Sequence, residues 1–421
     1  MSTKEFVMNG RLVPKKMSLR IAHASDVHLD VNATACQGRI VRDAEGINIR
    51  WRDRVRCFEA FVEGAIKSMA EVCIVAGDLF DKTKPTPNEY ELANRVLDRA
   101  SESMLTFVIG DNHGNPESSI EVHAVEPIKG RGKNLIVESR ACLHRLETPS
   151  GTPVQIAALP SPRRSIVAAK EEYQGKTPEE INWLVSERLR LVIQRLLADC
   201  DPSMTKILVA HVMVQGCFTS AKGGEPSAGG IILSPKDFAG WDYVALGDVH
   251  LRQQFGERIY YSGSLDRIGF GEEHDAKSWN LVDLEYAGNP MQCVGLEVNT
   301  VASPARSYRT YQPEELTHRK LIELRSLPSL DEWPVVRAKG EISHEEYLDL
   351  APTLREWKKL PLFSDELAVI RTARSRNADI TDDLSPEKAL RTWAVQHERL
   401  DTEALVAEHT MLEREVLSGK R

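Results

Sequence analysis

The sequence predicts an α/β fold in which buried strands alternate with amphipathic helices. Three observations lead there. Five short apolar runs are bounded by glycine or polar turn residues, the pattern of strands covered on both faces. Two stretches between them repeat apolar residues at helical spacing, and strands alternating with helices build layers. Each run is also followed at once by aspartate, asparagine or histidine, and layered α/β folds place their sites just past strand C-termini.

Residues 1–18 are polar and basic and read as a leader, so regular structure is expected from Leu19. The first strand is Leu19–Ala24, running into Asp26 and His28. Val55, Phe58, Val62 and Ile66 then share one helical face. Val72–Ala76 leads to Asp78, and Leu105–Ile109 leads to Asp111, Asn112 and His113. Ile181, Val185, Leu189, Val192 and Leu196 mark a longer helix before Ile207–Ala210, which ends at His211. Ser220–Gly240 holds five glycines and reads as a loop, after which Tyr243–Leu246 runs into Asp248 and His250. Past Arg306 the pattern changes to a small α+β unit: strand Val335–Lys339, helix Glu345–Trp357, strand Leu367–Thr372. A polar break at Ala373–Asp383 precedes a helical tail with Ser385 as N-cap and Pro386 in its first turn. Leu405, His409, Leu412 and Val416 share a face of that tail.

The chain has 421 residues, of which 42% are apolar and 28% charged, room for two or three domains. This composition excludes collagen-like, disordered and disulfide-scaffold classes. No apolar run approaches the roughly 18–20 residues that span a bilayer, so no membrane role is expected. Seven scattered cysteines without a CxxC pair fit reduced thiols and a cytoplasmic location. The net charge is −8, from 54 Lys and Arg against 62 Asp and Glu, which argues against coating a polyanion by bulk electrostatics.

One DxH or one GD is an ordinary turn or cap. The ordered series Asp26-Val-His28, Gly77-Asp78, Asn112-His113, His211 and Asp248-Val-His250 is different, because every member follows an apolar run. Carboxylate, imidazole and amide ligands together suit divalent ions, Mn2+ first and Mg2+ among the alternatives. A carboxylate can bridge two such ions, which acidify water and place it for in-line attack on phosphorus.

The series resembles the calcineurin-like metallophosphoesterases, and more specifically the SbcD nuclease family. The specific marks are HASDVHLD (23–30), AGDLFD (76–81), YVALGDVH (243–250) and YYSGSLDRIGFGEE (260–273). The resemblance implies two central sheets flanked by helices over residues 19–303, a capping domain over 304–380, and an ATPase-docking helical tail over 385–421. It implies that Asp26, His28, Asp78 and His250 hold one metal, and that Asp78, Asn112, His211 and Asp248 hold the other. His113 is implied as the catalytic residue that assists the leaving oxygen. It further implies a DNA exonuclease and endonuclease in repair, recombination or replication, partnered by an SbcC-like coiled-coil ATPase and forming a homodimer. A phosphatase of small molecules or proteins, and a weakly catalytic DNA-binding scaffold, are the competing readings.

Three positions depart from the family pattern: Asp248 stands for a histidine, Asp111 for a glycine, and Gly114 for an acidic residue. Asp111 is a candidate to supply the carboxylate missing at 114, orienting His113 from the other side. Asp81 either lines the substrate side or caps a helix. Arg163, Arg164, Arg252, Arg267 and the Lys129–Lys133 run are candidates for phosphate-backbone contacts. His23 is expected to pack near the site. His123, His144, His274, His318, His344, His397 and His409 are expected to be structural or at the surface.

Overall fold

In the computed structural model, residues 7–8, 11–12, 17–36, 38–114, 122–130, 132–162, 175–224, 231–288, 292–370, 384–395 and 401–417 are described. Internal contacts divide the chain into two units, residues 1–339 with 353–366, and residues 340–352 with 367–421.

Val72–Val75 is buried at every position, and the reason sets the architecture of the first unit. One six-stranded sheet has the order Gln292–Ala302, Ser278–Ala287, Met17–Ala24, Val72–Val75, Leu105–Ile109, Leu135–Glu138. A second has the order Gln253–Phe255, Ile259–Tyr261, Tyr243–Gly247, Thr205–His211, Pro153–Leu159, Cys142–Glu147. Ile21, Ile74, Phe107 and Ile109 of the first meet Ile156, Ile207, Val209 and Tyr243 of the second in a core between the sheets. Helices Ile49–Lys67 and Pro87–Ser101 cover the outer face of the first sheet through Phe58, Phe61, Leu92 and Leu97. Helix Pro178–Ala198 covers the outer face of the second through Val185, Leu189, Ile193 and Leu196. Two central sheets flanked by helices therefore form the expected layered α/β sandwich. Apolar side chains on both faces of a central strand are what such layering demands.

The parallel strands Met17–Ala24, Val72–Val75 and Leu105–Ile109 deliver their C-terminal ends to one edge of the first sheet. Thr205–His211 and Tyr243–Gly247 do the same in the second. The first strand starts at Met17, and upstream Val7–Met8 pairs with Arg11–Leu12, so the expected leader contains a short ladder. Within the expected loop 220–240, regular structure appears past residue 231. Ile232–Leu233 pairs in parallel with Met213–Val214, and Ser234 caps a turn at Pro235–Phe238.

Still in the first unit, Tyr308–Tyr311 pairs with the start of strand Val335–Ser343. Arg306 makes two bonds to Asp53 (2.6 and 2.9 Å), and Arg50 binds both Asp53 (2.5 Å) and Asp266 (2.6 Å). All four charges are buried. Losing one partner from such a set costs about 3–5 kcal/mol, so it fixes the chain leaving the sandwich.

The second unit contains helices Pro386–Val395 and Thr402–Leu417 packed on each other, where the sequence suggested one continuous tail. Ser385 caps as expected, its Oγ accepting from Lys388 N. Val406 is buried, Leu405 and His409 are half-buried, and Leu412 is exposed, so the inner face sits one position from the expected one. The last strand spans Phe363–Ile370, four residues earlier than expected. The 373–383 break, Arg163, Arg164, His397 and the Val416 side chain lie outside the described residues. Among the described residues, no helix is long and apolar enough to cross a membrane, and the seven cysteines are free thiols.

Candidate metal centre

All eight residues singled out in the sequence come together where the two sheets' parallel strands end. Their backbones are unusual. Among the described residues, the non-glycine positions with positive φ are Asp26 (53°), His28 (52°), Asp78 (48°), Asp248 (89°) and Met69 (56°). Four of the five are candidate ligands. Each such conformation costs of order 1–3 kcal/mol and persists only where the surroundings enforce it.

Two glycines explain why the ends can meet. A Cβ on Gly77 would lie 2.2 Å from His211 Nδ1, and one on Gly247 would lie 2.0 Å from Ala76 O. The Gly-Asp pairs at 77–78 and 247–248 thus let one sheet's strand end press against the other's.

Asp26, His28, Asp78 and His250 form a group whose ligand atoms all lie within 4.8 Å of one another. His28 Nε2 is 3.5 Å from Asp78 Oδ2, and His250 Nε2 is 3.8 Å from Asp26 Oδ1. On the other side of Asp78, His211 Nε2 lies 3.5 Å from Asp78 Oδ1, 3.6 Å from Asp248 Oδ1 and 3.3 Å from Asn112 Oδ1. Asn112 Nδ2 donates to Asp248 Oδ1 at 3.2 Å. Asp78 is therefore shared between two ligand groups, one on each carboxylate oxygen.

The hydrogen bonds settle the histidine tautomers. His28 Nδ1 faces Asp81 (3.0 Å), His250 Nδ1 faces Glu272 (2.7 Å) and His211 Nδ1 faces the Ala76 carbonyl (2.8 Å). Carboxylate and carbonyl oxygens only accept, so each Nδ1 carries a proton and each Nε2 is the nitrogen turned toward the cluster. Metal-binding histidines are held in this way. The Nε2 atoms of His28 and His250 are 3.0 Å apart. Asp78 Oδ1 is buried without a hydrogen-bond donor. These are the marks of groups arranged for cations, and the donor set fits divalent metal.

Protonation shows the same demand. Burial pulls the His211 pKa down, yet Asp78 and Asp248 hold it well above the ordinary histidine value. His250 is likewise raised against burial by Glu272 and Asp26. Asp78 is lowered despite its burial by His211, His28 and His113.

His113 sits at the rim, with 41% of its side chain exposed. Its Nε2 is 3.8 Å from Asp78 Oδ2 and its Nδ1 is 3.5 Å from Asp81 Oδ1. Asp81 thus faces two imidazoles, and its own pKa is lowered, against burial, by His28, Arg54 and His113. It follows a strand end rather than capping a helix.

Asp111 does not take the expected part. Its carboxylate accepts from Asp78 N (3.0 Å) and Gly114 N (2.5 Å), and burial together with Asp78 pushes its pKa well up. It braces the backbone under Asp78. Gly114 is equally fixed, because a Cβ there would lie 2.4 Å from the buried His123 ring. An acidic side chain at 114 has no room, which accounts for both departures together.

Sequence reasoning missed Glu272, the partner of His250, although it lies inside the quoted 260–273 segment. That segment runs beneath the cluster. Ser262 Oγ bonds Ser25 Oγ (2.9 Å), Ser25 bonds Asp26, and Lys277 pairs with Glu272 (2.7 Å). Arg54, also missed, pairs with Asp81 at 3.6 Å and donates to the His28 carbonyl. Arg267 is corrected from phosphate contact to structural clamp. Its guanidinium is spent on the carbonyls of Glu272 (3.2 Å), Arg306 (2.9 Å) and Asp275 (2.7 Å). Arg252 donates to Asn280 (3.0 Å), and Lys129 pairs with Glu138 (3.1 Å). His23 packs near the site as expected, fully buried between Tyr243 OH and the Leu246 carbonyl.

No protein-family profile matches the sequence. Among solved structures, the chain is similar to a Thermus thermophilus protein at 16% identity, covering 68% of this chain and 99% of that one, with a TM-score of 0.35. It is similar to a phosphatase from Mycoplasma pneumoniae at 9% identity, covering 69% and 95%, with a TM-score of 0.34. A dimetal phosphatase from Danio rerio matches at 11% identity, covering 68% and 99%, with a TM-score of 0.33.

Proposed function

We propose that this chain is a two-metal phosphodiesterase that cleaves DNA. One observation carries the hydrolytic reading: Asp78 offers a separate oxygen to each of two ligand groups, one lying 3.5 Å from His28 Nε2 and the other 3.5 Å from His211 Nε2. Asp26, His28, Asp78 and His250 would hold one ion, and Asp78, Asn112, His211 and Asp248 the other. Such ions, when bound, polarise a phosphate and acidify water. Mn2+ suits the mixed oxygen and nitrogen donors, with Mg2+ as the alternative.

His113 is placed to give a proton to the leaving oxygen. It is the exposed imidazole of the cluster, with Nδ1 3.5 Å from Asp81 Oδ1. DNA as substrate rests on the 260–273 segment, whose resemblance is to the SbcD nucleases and whose Glu272 holds His250. An acidic chain binds DNA weakly by itself. An SbcC-like coiled-coil ATPase docked on the 385–421 helices, with residues 304–380 as a cap and a homodimer as the working form, would supply the missing affinity. Repair, recombination or replication in the cytoplasm is the setting this implies.

The test is the purified chain with Mn2+ on labelled linear duplex DNA and on a phosphomonoester, wild type beside His113→Ala and Asp78→Ala. The nuclease reading expects duplex cleavage by wild type, a drop of about 10²–10⁴-fold for His113→Ala, and no cleavage by Asp78→Ala. Turnover of the monoester alone would make it a general phosphatase. Three proteins behaving alike would end the enzymatic reading.

A further inference from the structure

Away from this cluster, Glu138, Cys142 and His144 bring a carboxylate, a thiol and an imidazole together, with ligand atoms all within 4.8 Å of one another. Glu138 ends the edge strand of the first sheet, and Cys142 and His144 begin the edge strand of the second. Residues two apart on a strand share a face, so the thiol and imidazole point the same way. Three residues, Ser139 to Ala141, carry the chain from one sheet to the other. The trio thus sits on the seam of the sandwich.

We propose that Glu138, Cys142 and His144 form a Zn2+ site that ties the two sheet edges together. Thiolate, imidazole and carboxylate are zinc's three protein ligand types, and three of them leave a fourth position for water. The distances fit. Zn–S of about 2.3 Å and Zn–N or Zn–O of about 2.0 Å at a tetrahedral angle require edges of about 3.5 and 3.3 Å. Cys142 Sγ lies 3.4 Å from His144 Nε2, and His144 Nε2 lies 3.1 Å from Glu138 Oε1. The Phe107 ring meets the imidazole edge-on at 5.7 Å, and Lys129 holds the Glu138 carboxylate at 3.1 Å.

One thiolate and one carboxylate would neutralise one Zn2+, with the Lys129 ammonium adding a positive charge beside Glu138. Burial and the neighbouring Glu138 push the Cys142 thiol up to about 11. Zinc uptake here releases a proton and strengthens as pH rises.

The test exploits the absence of cysteine from the eight-residue cluster, so that the signal belongs to this site alone. The reduced full-length chain is titrated with Co2+, which gives a thiolate-to-cobalt charge-transfer band only where sulfur is bound. Expected are a saturable band displaced by Zn2+, and its loss in Cys142→Ser and His144→Ala. In parallel, Zn2+ should slow alkylation of Cys142 in the wild type, read by peptide mass, while Cys200 and Cys293 react unchanged. That second measurement decides the matter if a variant misfolds. A wild type without the band, a band surviving Cys142→Ser, or Cys142 alkylation indifferent to Zn2+ would each show the trio to be a hydrogen-bonded cluster and nothing more.

Discussion

Glu272→Gln removes one oxygen's charge and tests whether His250 is held for metal. In the wild type Glu272 accepts three bonds: from His250 Nδ1 at 2.7 Å, Lys277 Nζ at 2.7 Å and Ile268 N at 3.1 Å. Burial opposes its charge, yet His250 and Lys277 hold its carboxyl down to about 2. A glutamine has one acceptor oxygen and one donor amide. If the oxygen faces His250, the amide meets the Lys277 ammonium and Ile268 N–H. If the oxygen faces Lys277, the amide opposes the His250 Nδ1 proton, and the ring turns its other tautomer toward Asp26. Either way one charge-assisted bond is lost, worth about 1.5–3 kcal/mol. Borne by metal binding, that is about 10–100-fold in affinity, the range seen when the partner of a metal-bound histidine is removed. The assay is Mn2+ titration of wild type and variant near neutral pH by calorimetry, with circular dichroism confirming the fold. A folded Glu272→Gln protein that binds Mn2+ as tightly as wild type would refute the reasoning.

Two further outcomes follow from the same geometry. In Gly77→Ala the new Cβ would stand 2.2 Å from His211 Nδ1 at a φ of +91°. Backbone strain and overpacking together should destabilise by about 2–5 kcal/mol in urea unfolding, and a change below about 0.5 kcal/mol would contradict the close-approach account. The second concerns pH. Because His211 and His250 are raised in the folded state, their protonation stabilises the metal-free protein below the ordinary value of 6.5. That contribution is lost as pH rises through the raised values. Melting temperature in chelator should therefore fall as pH climbs above neutral, and Mn2+ should restore more of it at the alkaline end, because protons and metal compete. Curves with and without Mn2+ that stay parallel across the range would count against shared occupancy of those nitrogens.

The strands that carry ligands were legible because they are buried on both faces. Val72–Val75 or Tyr243–Gly247 need no alternation to be recognised, only a short apolar run before an aspartate. Helix Pro87–Ser101 went unread, although its Thr86–Glu89 capping box and the buried Leu92, Val96 and Leu97 stripe mark it. Less could be read of what positions the ligands. Glu272 lies 22 residues from His250 and reaches it only because the 260–273 segment folds back beneath the cluster. The positive φ of Asp26, His28, Asp78 and Asp248 could not be read from the sequence, since aspartate and histidine adopt that region only in particular surroundings. Asp111 and Gly114 looked like a weakened His113 loop. In space they are one adjustment, a buried carboxyl under Asp78 and a hydrogen where His123 leaves room for no more. Arg267 looked like a phosphate ligand because a guanidinium's partners cannot be read from sequence, and here they are three carbonyls.

The central claim is that Asp78 is shared by two ions. Its most direct test is diffraction from crystals soaked in Mn2+, with data collected where manganese scatters anomalously. The account predicts two anomalous peaks on either side of the Asp78 carboxylate, about 3.5–4 Å apart. One peak should lie among Asp26, His28 and His250, the other among Asn112, His211 and Asp248. A single peak, or none near Asp78, would contradict it.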